Sequence, residues 1–174
     1  MKVLKIFGIV VLVAIVVFLV AGLFIDKSFH FEKTAEMPVS KEKVWNNVLY
    51  FKNHDSWSQW REKDPNMAVE IKGNDGTVGS SMSWKSDHKE VGQGSQTITN
   101  IIEGERVDSK LNFVGMGEAT TYMVVEGDAS NTKVTWALDF EVGYPINALF
   151  ALGGSGQMDD MFKRGFELLE KASK

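Results

Sequence analysis

The side chains able to do chemistry in this 174-residue chain are few and dispersed. There is no cysteine, which removes thiol nucleophiles, thiolate metal sites, disulfides and lipoprotein processing. The three histidines are His30, His54 and His88, and the nearest pair, His30 and His54, is 24 positions apart. A zinc or iron site takes several His, Cys or carboxylate ligands at suitable spacing, and no H-x-x-H or H-E-x-x-H motif occurs. His30 alternates outward beside Phe29 and Phe31, and His88 falls in a hairpin turn. His54, three residues before Trp57, is in reach of a pocket mouth but is not singled out as a site residue. Asp159 and Asp160 are adjacent, so on a helix they point about 100° apart and do not share a site; in the first turn of the last helix they are expected to complement its dipole. Asp139 alternates away from Trp136, Leu138 and Phe140 and is expected in solvent. Ser155 lies in G-G-S-G rather than G-x-S-x-G and reads as a loop residue and helix cap. Gly73, Gly76 and Gly79 lack the strand–glycine–helix context of a nucleotide site. With no inward-facing acid or base on any strand, no catalytic residue, metal or cofactor is assigned.

What the chain has instead is large apolar side chains at regular spacing. Met82, Trp84, Phe113, Met123 and Trp136 fall on the inward positions of strands, and Phe162 and Phe166 on the inward stripe of a helix. Trp57 and Trp60 sit at one end. A ligand pocket is an apolar concavity with a few polar groups, and Met-plus-aromatic walls adapt to varied shapes. The same spacing also describes an ordinary core, which is the commoner use of such residues. A pocket of a few hundred Å3 would mark a binding protein, whereas a packed interior would exclude one.

The elements that must position these residues follow from periodicity. A first strand is predicted over 27–36. Ser40 is expected to cap a helix opening on Lys41-Glu42-Lys43, with Val44, Trp45 and Val48 on its apolar face. A second short helical or irregular stretch carries Phe51, Trp57 and Trp60 and ends at Asp64-Pro65. The period then becomes two. Met67, Val69 and Ile71 alternate up to Asn74-Asp75-Gly76, a hairpin signal, and Met82 and Trp84 alternate beyond it. Further strands are predicted over 92–102, 105–114, the segment with Thr121, Met123 and Val125 in register, and 133–141. The short turns between them make the strands antiparallel, with one face apolar and one in water. After Tyr144-Pro145, residues 146–152 suit a short helix. Gly153-Gly154-Ser155-Gly156 is expected to separate it from a last helix over 157–172, whose first turn holds Asp159 and Asp160. Met158, Met161, Phe162, Gly165, Phe166, Leu168 and Leu169 form its apolar stripe. A half-solvated sheet must bury its apolar face, and this helix is the element long and apolar enough to cover it.

Ahead of all this, residues 6–25 contain no charge, and all 23 acidic residues lie at or after Asp26. As a helix that run spans about 30 Å, the thickness of a bilayer's hydrocarbon core. Lys2 and Lys5 precede it, so the N-terminus is expected to stay in the cytoplasm and the rest to lie on the outer, periplasmic or extracellular, side. A cleaved signal peptide is the rival, but its core is usually about 7–15 residues, and Leu19-Val20-Ala21 is a poor cleavage site. The chain thus divides into an anchor, 1–26, and a domain, 27–174. The domain's 17 basic and 22 acidic residues give a net charge of −5 with no basic block, so nucleic acid is not an expected partner.

Several short segments, in this order, resemble the SRPBCC superfamily of START-related and polyketide cyclase/dehydrase-type proteins, in particular its bacterial membrane-anchored branch. They are Met37-Pro38-Val39-Ser40 with Val44-Trp45, and Phe51-Lys52-Asn53 leading to Trp57 and Trp60. Next come Gly76-Thr77-Val78-Gly79 with Trp84, and Gly92-Gln93-Gly94 before Thr97-Ile98-Thr99. The last are Thr132-Lys133-Val134-Thr135-Trp136 and the terminal helix around Phe162, Gly165 and Leu169. The resemblance implies an α+β helix-grip fold: a curved antiparallel sheet of six to seven strands around a long C-terminal helix, with a hydrophobic cavity between them. It therefore implies a small hydrophobic ligand or lipid as partner. The expected function is a membrane-tethered binding module using Trp57, Trp60, Met82, Trp84, Phe113, Met123, Trp136, Phe162 and Phe166. The alternatives are a cyclase-, dehydratase- or hydrolase-type enzyme in the same cavity, and a structural envelope domain with a filled core.

Overall fold

The computed structural model describes residues 2–174, apart from the side chains of Lys2 and Ser155. Helix α1 (Lys2–Gly22) leads into strand β1 (Ser28–Met37), and three short helices follow: α2 (Lys41–Leu49), α3 (Phe51–His54) and α4 (Gln59–Lys63). The sheet continues through β2 (Ala68–Lys72), β3 (Ser81–Lys85), β4 (Gln93–Ile102), β5 (Arg106–Phe113), β6 (Gly117–Gly127) and β7 (Thr132–Glu141), and the chain ends in α5 (Ile146–Ala172). The seven strands lie in the order β1-β7-β6-β5-β4-β3-β2, every pair antiparallel. Six strands thus meander, and β1 adds to the far edge along β7, from Ser28 opposite Glu141 to Met37 opposite Thr132. A register shift between Ile98 and Asn100 marks a bulge in β4, a device that bends a strand.

Period two places the core as the sequence suggests. Val125, Val134 and Ile98 are fully buried on the inner face, and α5 lays Phe162 and Leu169 against it. The α2 face built from Val44, Trp45 and Val48 joins the same cluster. On the outer face, His30 Nδ1 is 2.6 Å from Asp139 Oδ1, with both side chains about half exposed.

Five local expectations fail. Gly153, Gly154 and Gly156 do not break the last helix: α5 runs unbroken from Ile146. Each glycine costs a helix about 1 kcal/mol relative to alanine, and tertiary packing offsets that cost. Phe150 is seated among Phe29, Phe140 and Phe31, with ring centroids 4.7, 5.2 and 6.1 Å away. The Ser155 backbone is therefore helical rather than a loop cap. Asp159 and Asp160 consequently lie in mid-helix, where they do not complement its dipole, and Asp159 pairs with Lys33 of β1 at 2.9 Å. Ser40 occupies the N-cap position of α2 with extended backbone, but its side chain makes no capping hydrogen bond. Finally, Asn74-Asp75-Gly76 is not a tight hairpin turn, since the β2–β3 ladder stops at Lys72 opposite Ser81 and residues 73–80 form a longer loop. The Asp75 carboxylate accepts the backbone N–H groups of Phe51 (2.8 Å) and Lys52 (3.1 Å), capping α3 across space. Gly76, at φ +82°, lies under the Tyr50 ring, where a Cβ would come within 2.4 Å.

Helix α1 is long and apolar enough over Val3–Gly22 to cross a bilayer, and the same length and composition suit a signal sequence. Its C-terminal end is tied to α5. Gly22 is buried against Ala148 and Tyr144, and the fully buried Asn147 gives its amide N–H groups to the carbonyls of Gly22 (3.1 Å) and Ile25 (2.9 Å).

Candidate functional site

Between the concave face of the sheet and the second half of α5 is a partly enclosed cavity. About 130 Å3 of it is open to the centre of a water-sized sphere, and one water needs roughly 10–15 Å3 on that measure. The volume falls short of the few hundred Å3 that would mark a pocket from its size alone. The interior is nonetheless not filled.

The walls come from every layer of the domain. Met82 and Trp84 of β3, Gln96 of β4, and Val107, Ser109, Leu111 and Phe113 of β5 form the floor. Thr121 and Met123 of β6 and Trp136 and Leu138 of β7 continue it, all of one parity along their strands. Helix α5 contributes Met161 and Gly165, and the α2–α4 region contributes Val48, His54, Trp57, Ser58 and Trp60, with Met67 beside them. Of the nine residues singled out from the sequence, Trp57, Trp60, Met82, Trp84, Phe113, Met123 and Trp136 border the cavity. Phe162 and Phe166 do not. They pack behind Trp136, with centroids 5.2 and 6.0 Å from its ring, because α5 turns Met161 and Gly165 toward the cavity.

Two glycines make room for the tryptophans. At Gly165 a Cβ would stand 2.5 Å from the Trp136 ring, and at Gly94 a Cβ would stand 2.4 Å from Trp84 and 2.6 Å from the Asn112 carbonyl. Trp136 cannot slide away, since its indole N–H is given to Thr121 Oγ1 (3.0 Å), whose hydroxyl is given to the Ala137 carbonyl (2.6 Å). Trp57 is held similarly, its N–H given to the Asn47 carbonyl at 3.0 Å. The Trp84 indole N–H, by contrast, is buried without an acceptor among the described residues.

The polar part of the wall is His54, Ser58, Gln96, Ser109 and Thr121, and no Asp, Glu, Lys, Arg or Tyr is among the lining residues. His54 was passed over from the sequence because a histidine on a four-residue helix carries no periodic signal. It is buried between Phe51 and Trp57, with centroids 5.1 and 5.0 Å away. Its Nε2 lies 3.0 Å from the Val48 carbonyl and must donate to it, which leaves Nδ1 as the acceptor in the neutral ring. Loss of water by burial pushes its pKa below the ordinary value, against weaker upward pulls from the Val48 carbonyl, Asp75 and Asp55. Ser109 and Gln96 were also missed. Ser109 shares its parity with Val107 and Leu111, so the strand period held the signal, but a polar residue at an inward position is masked in a hydrophobicity pattern. Among the described residues no cluster of three or more His, Cys, Asp or Glu is placed to hold a metal.

Helix α4 meets α5 beside the cavity residues Trp60 and Met161. Arg164 of α5 forks onto Glu62 of α4 through Nε (3.0 Å) and Nη2 (2.6 Å), and this pairing lowers the Glu62 pKa. Gln59 reaches the Met161 carbonyl at 3.4 Å.

A seven-stranded sheet gripping a terminal helix over an apolar cavity defines a helix-grip, ligand-cavity type of domain. Residues 28–174 match the family described as polyketide cyclase / dehydrase and lipid transport, and the chain belongs to that family, within the SRPBCC superfamily. None of the curated proteins compared matches it. Among solved structures it is similar to norcoclaurine synthase from Thalictrum flavum, in complex with dopamine and hydroxybenzaldehyde (TM-score 0.61, 10% identity, 87% of this chain and 89% of that one). It is also similar to a protein from Arthrobacter aurescens solved by NMR (TM-score 0.61, 16% identity, 82% and 84%). A third similar structure is Ara h 8.0201 (TM-score 0.56, 15% identity, 83% and 96%). At such identities the likeness is one of fold. The family as a whole binds small hydrophobic ligands, and this domain is accordingly a ligand-binding or cyclase-type one.

Proposed function

We propose that the protein is a membrane-tethered binding module that holds the compact apolar part of a small hydrophobic molecule or lipid in the cavity between sheet and α5. The observation that carries this reading is the cavity itself: an apolar chamber walled by tryptophans, two of which, Trp84 and Trp136, have room for their rings because Gly94 and Gly165 carry no side chain. Its size narrows the ligand. A chamber near 150 Å3 takes one benzene-sized ring, so about 130 Å3 suits a single ring or a short stretch of acyl chain. The unclaimed N–H of Trp84 and the polar groups of Ser109 and Gln96 favour a ligand bearing one or two oxygens in an apolar frame.

The tether reading rests on α1. Its apolar run of 20 residues is longer than the core of about 7–15 usual in a signal peptide, and Leu19-Val20-Ala21 is a poor cleavage site, which favours a retained anchor over a removed signal. With Lys2 and Lys5 on the cytoplasmic side, the domain lies outside the cytoplasmic membrane.

Native mass spectrometry of the membrane-purified chain, followed by organic extraction, tests the binding reading. A reproducible small ligand is expected with the native protein, and its loss with Ser109→Leu, which grows into the cavity. Retention unchanged in Ser109→Leu would place the ligand elsewhere.

His54 supports a second, enzymatic reading, since a neutral histidine with a free Nδ1 on a cavity wall is suited to accept a proton. The masses of the ligands carried by native and His54→Gln protein discriminate the two. The same species in both favours the module, and a different species accumulating in the variant favours a converted substrate.

A further inference from the structure

From Val142 to Met158 the chain contains no charged residue, a run of 17. Most of it is the first half of α5, and its outward side is apolar: Ile146 is 55% exposed, Leu149 58% and Leu152 78%. Leu149 and Leu152 point away from Phe150 and Gly154, which face the sheet side, and Ile146 lies at the edge of the same outward face. Beyond Gln157 the same outward face changes character and carries exposed Asp160, Lys163 and Glu167. One helix thus has an apolar outer face in its first three turns and a charged one thereafter.

The position of the apolar half gives this its meaning. Asn147 and Ala148 hold the last turn of α1, so the stripe begins where the apolar helix ends, beside the exposed Leu23 and Phe24 and the partly exposed Tyr144. We infer that the first three turns of α5 are seated in the outer leaflet of the bilayer that α1 crosses, as a second, in-plane contact with the headgroup–acyl boundary. This rests on the reading of α1 as a membrane span. The change from Leu152 to Asp160 marks where α5 leaves the lipid. A second copy of the chain suits the stripe less well: Ile146 to Leu152 covers about 9 Å of helix, and a stable protein interface buries roughly 800 Å2 on each partner. The inner side of the same turns carries Phe150, packed with Phe29, Phe31 and Phe140 in the layer next to the cavity residue Leu138. The first half of α5 and this aromatic layer thus stand between the proposed seat and the cavity.

The chain has no cysteine, so single-cysteine variants carry one environment-sensitive fluorophore each. Full-length Leu149→Cys, Leu152→Cys, Lys163→Cys, Glu167→Cys and Val13→Cys proteins are labelled and reconstituted into phosphatidylcholine–phosphatidylglycerol vesicles. Nitroxide lipids quench either near the headgroup or near the chain end. Labels at 149 and 152 are expected to be blue-shifted and to lose most of their emission to the headgroup-proximal quencher. Labels at 163 and 167 are expected to keep theirs, and 13 to be quenched chiefly by the chain-end quencher. Water-like emission at 149 and 152 with 13 still quenched overturns the seat and leaves the tether standing. An unquenched 13 overturns both. A shift at 149 and 152 that vanishes when labelled chains are diluted in lipid assigns the stripe to a second copy and overturns the membrane assignment.

Discussion

At the scale of single residues, His54 couples the cavity wall to pH. Burial lowers its pKa, so as pH falls through about 6.5 the unfolded chain takes up a proton that the folded chain refuses. Its contribution to stability is complete above that value and is lost progressively below it. The carboxylates with lowered pKa (Glu62, Asp64, Glu90, Asp108 and Asp128) lose theirs only below about pH 4, so the two effects are separable. The urea midpoint of the native protein is expected to fall between about pH 7 and pH 5.5, and that of His54→Gln to stay level. A level native curve would show that His54 is not held neutral. Gly94 is a second such point. Alanine there meets both the Trp84 ring and the Asn112 carbonyl, and overpacking of this kind costs about 1–3 kcal/mol. Gly143→Ala, where a Cβ would meet nothing within 4 Å, serves as the neutral control in the same urea titration. The seven aromatic and Met wall residues were legible because strand parity and size travel together in sequence. Ser109 and Gln96 were not, and His54 was placed only within reach of a pocket mouth, because nothing in their neighbours' pattern distinguishes a polar group facing a cavity from one facing water.

At the scale of elements, the strands and the second half of the last helix were legible, and the helix's continuity through Gly153-Gly154-Ser155-Gly156 was not. Period two survives in sequence because each strand has one wet face, so seven strands emerge in the right order. A Gly-Gly-Ser-Gly run has the local signature of a break, and only contacts distant in sequence, Phe150 with Phe29, Phe31 and Phe140, hold α5 continuous. The Asn74-Asp75-Gly76 signal was misread for a related reason: Asp75 serves the N-terminus of α3 rather than its own turn. Continuity of α5 has a direct check at Gly153, where an added Cβ meets nothing within 4 Å. In a continuous helix Gly153→Ala is expected to stabilise the protein by about 0.5–1 kcal/mol, through lower chain entropy in the unfolded state and better helix propensity. A broken helix with Gly153 in a left-handed turn would make the same change destabilising. The thermal midpoint of native and variant protein, measured in the same detergent, decides between them.

At the scale of the whole molecule, a short, docked connection joins the cavity-bearing domain to a proposed bilayer span. Residues 23–27 are all that separates α1 from β1, and Asn147 fixes α1 to the start of the helix that the sheet grips. The domain is therefore held against the end of α1 rather than hung on a long flexible leash. The apolar run and the lysines before it were legible in the sequence. The docking of α1 on α5 was not, because one buried asparagine 125 positions from the glycine it binds leaves no periodic trace. The two readings of α1 differ in measurable mass and sidedness. A retained span is expected to give an intact mass for the membrane-purified protein that includes residues 6–25, and a signal removed after Ala21 to give one that lacks residues 1–21. A cysteine introduced at the exposed Glu118 is expected to react with a membrane-impermeant maleimide in intact cells, or in spheroplasts where an outer membrane intervenes. One introduced beside Lys2 is expected to react only after lysis. Reaction of the Glu118 site only after lysis would put the domain in the cytoplasm. The ligand would then be drawn from the inner leaflet, because Asn147 keeps the domain at the same short distance from whichever surface it faces.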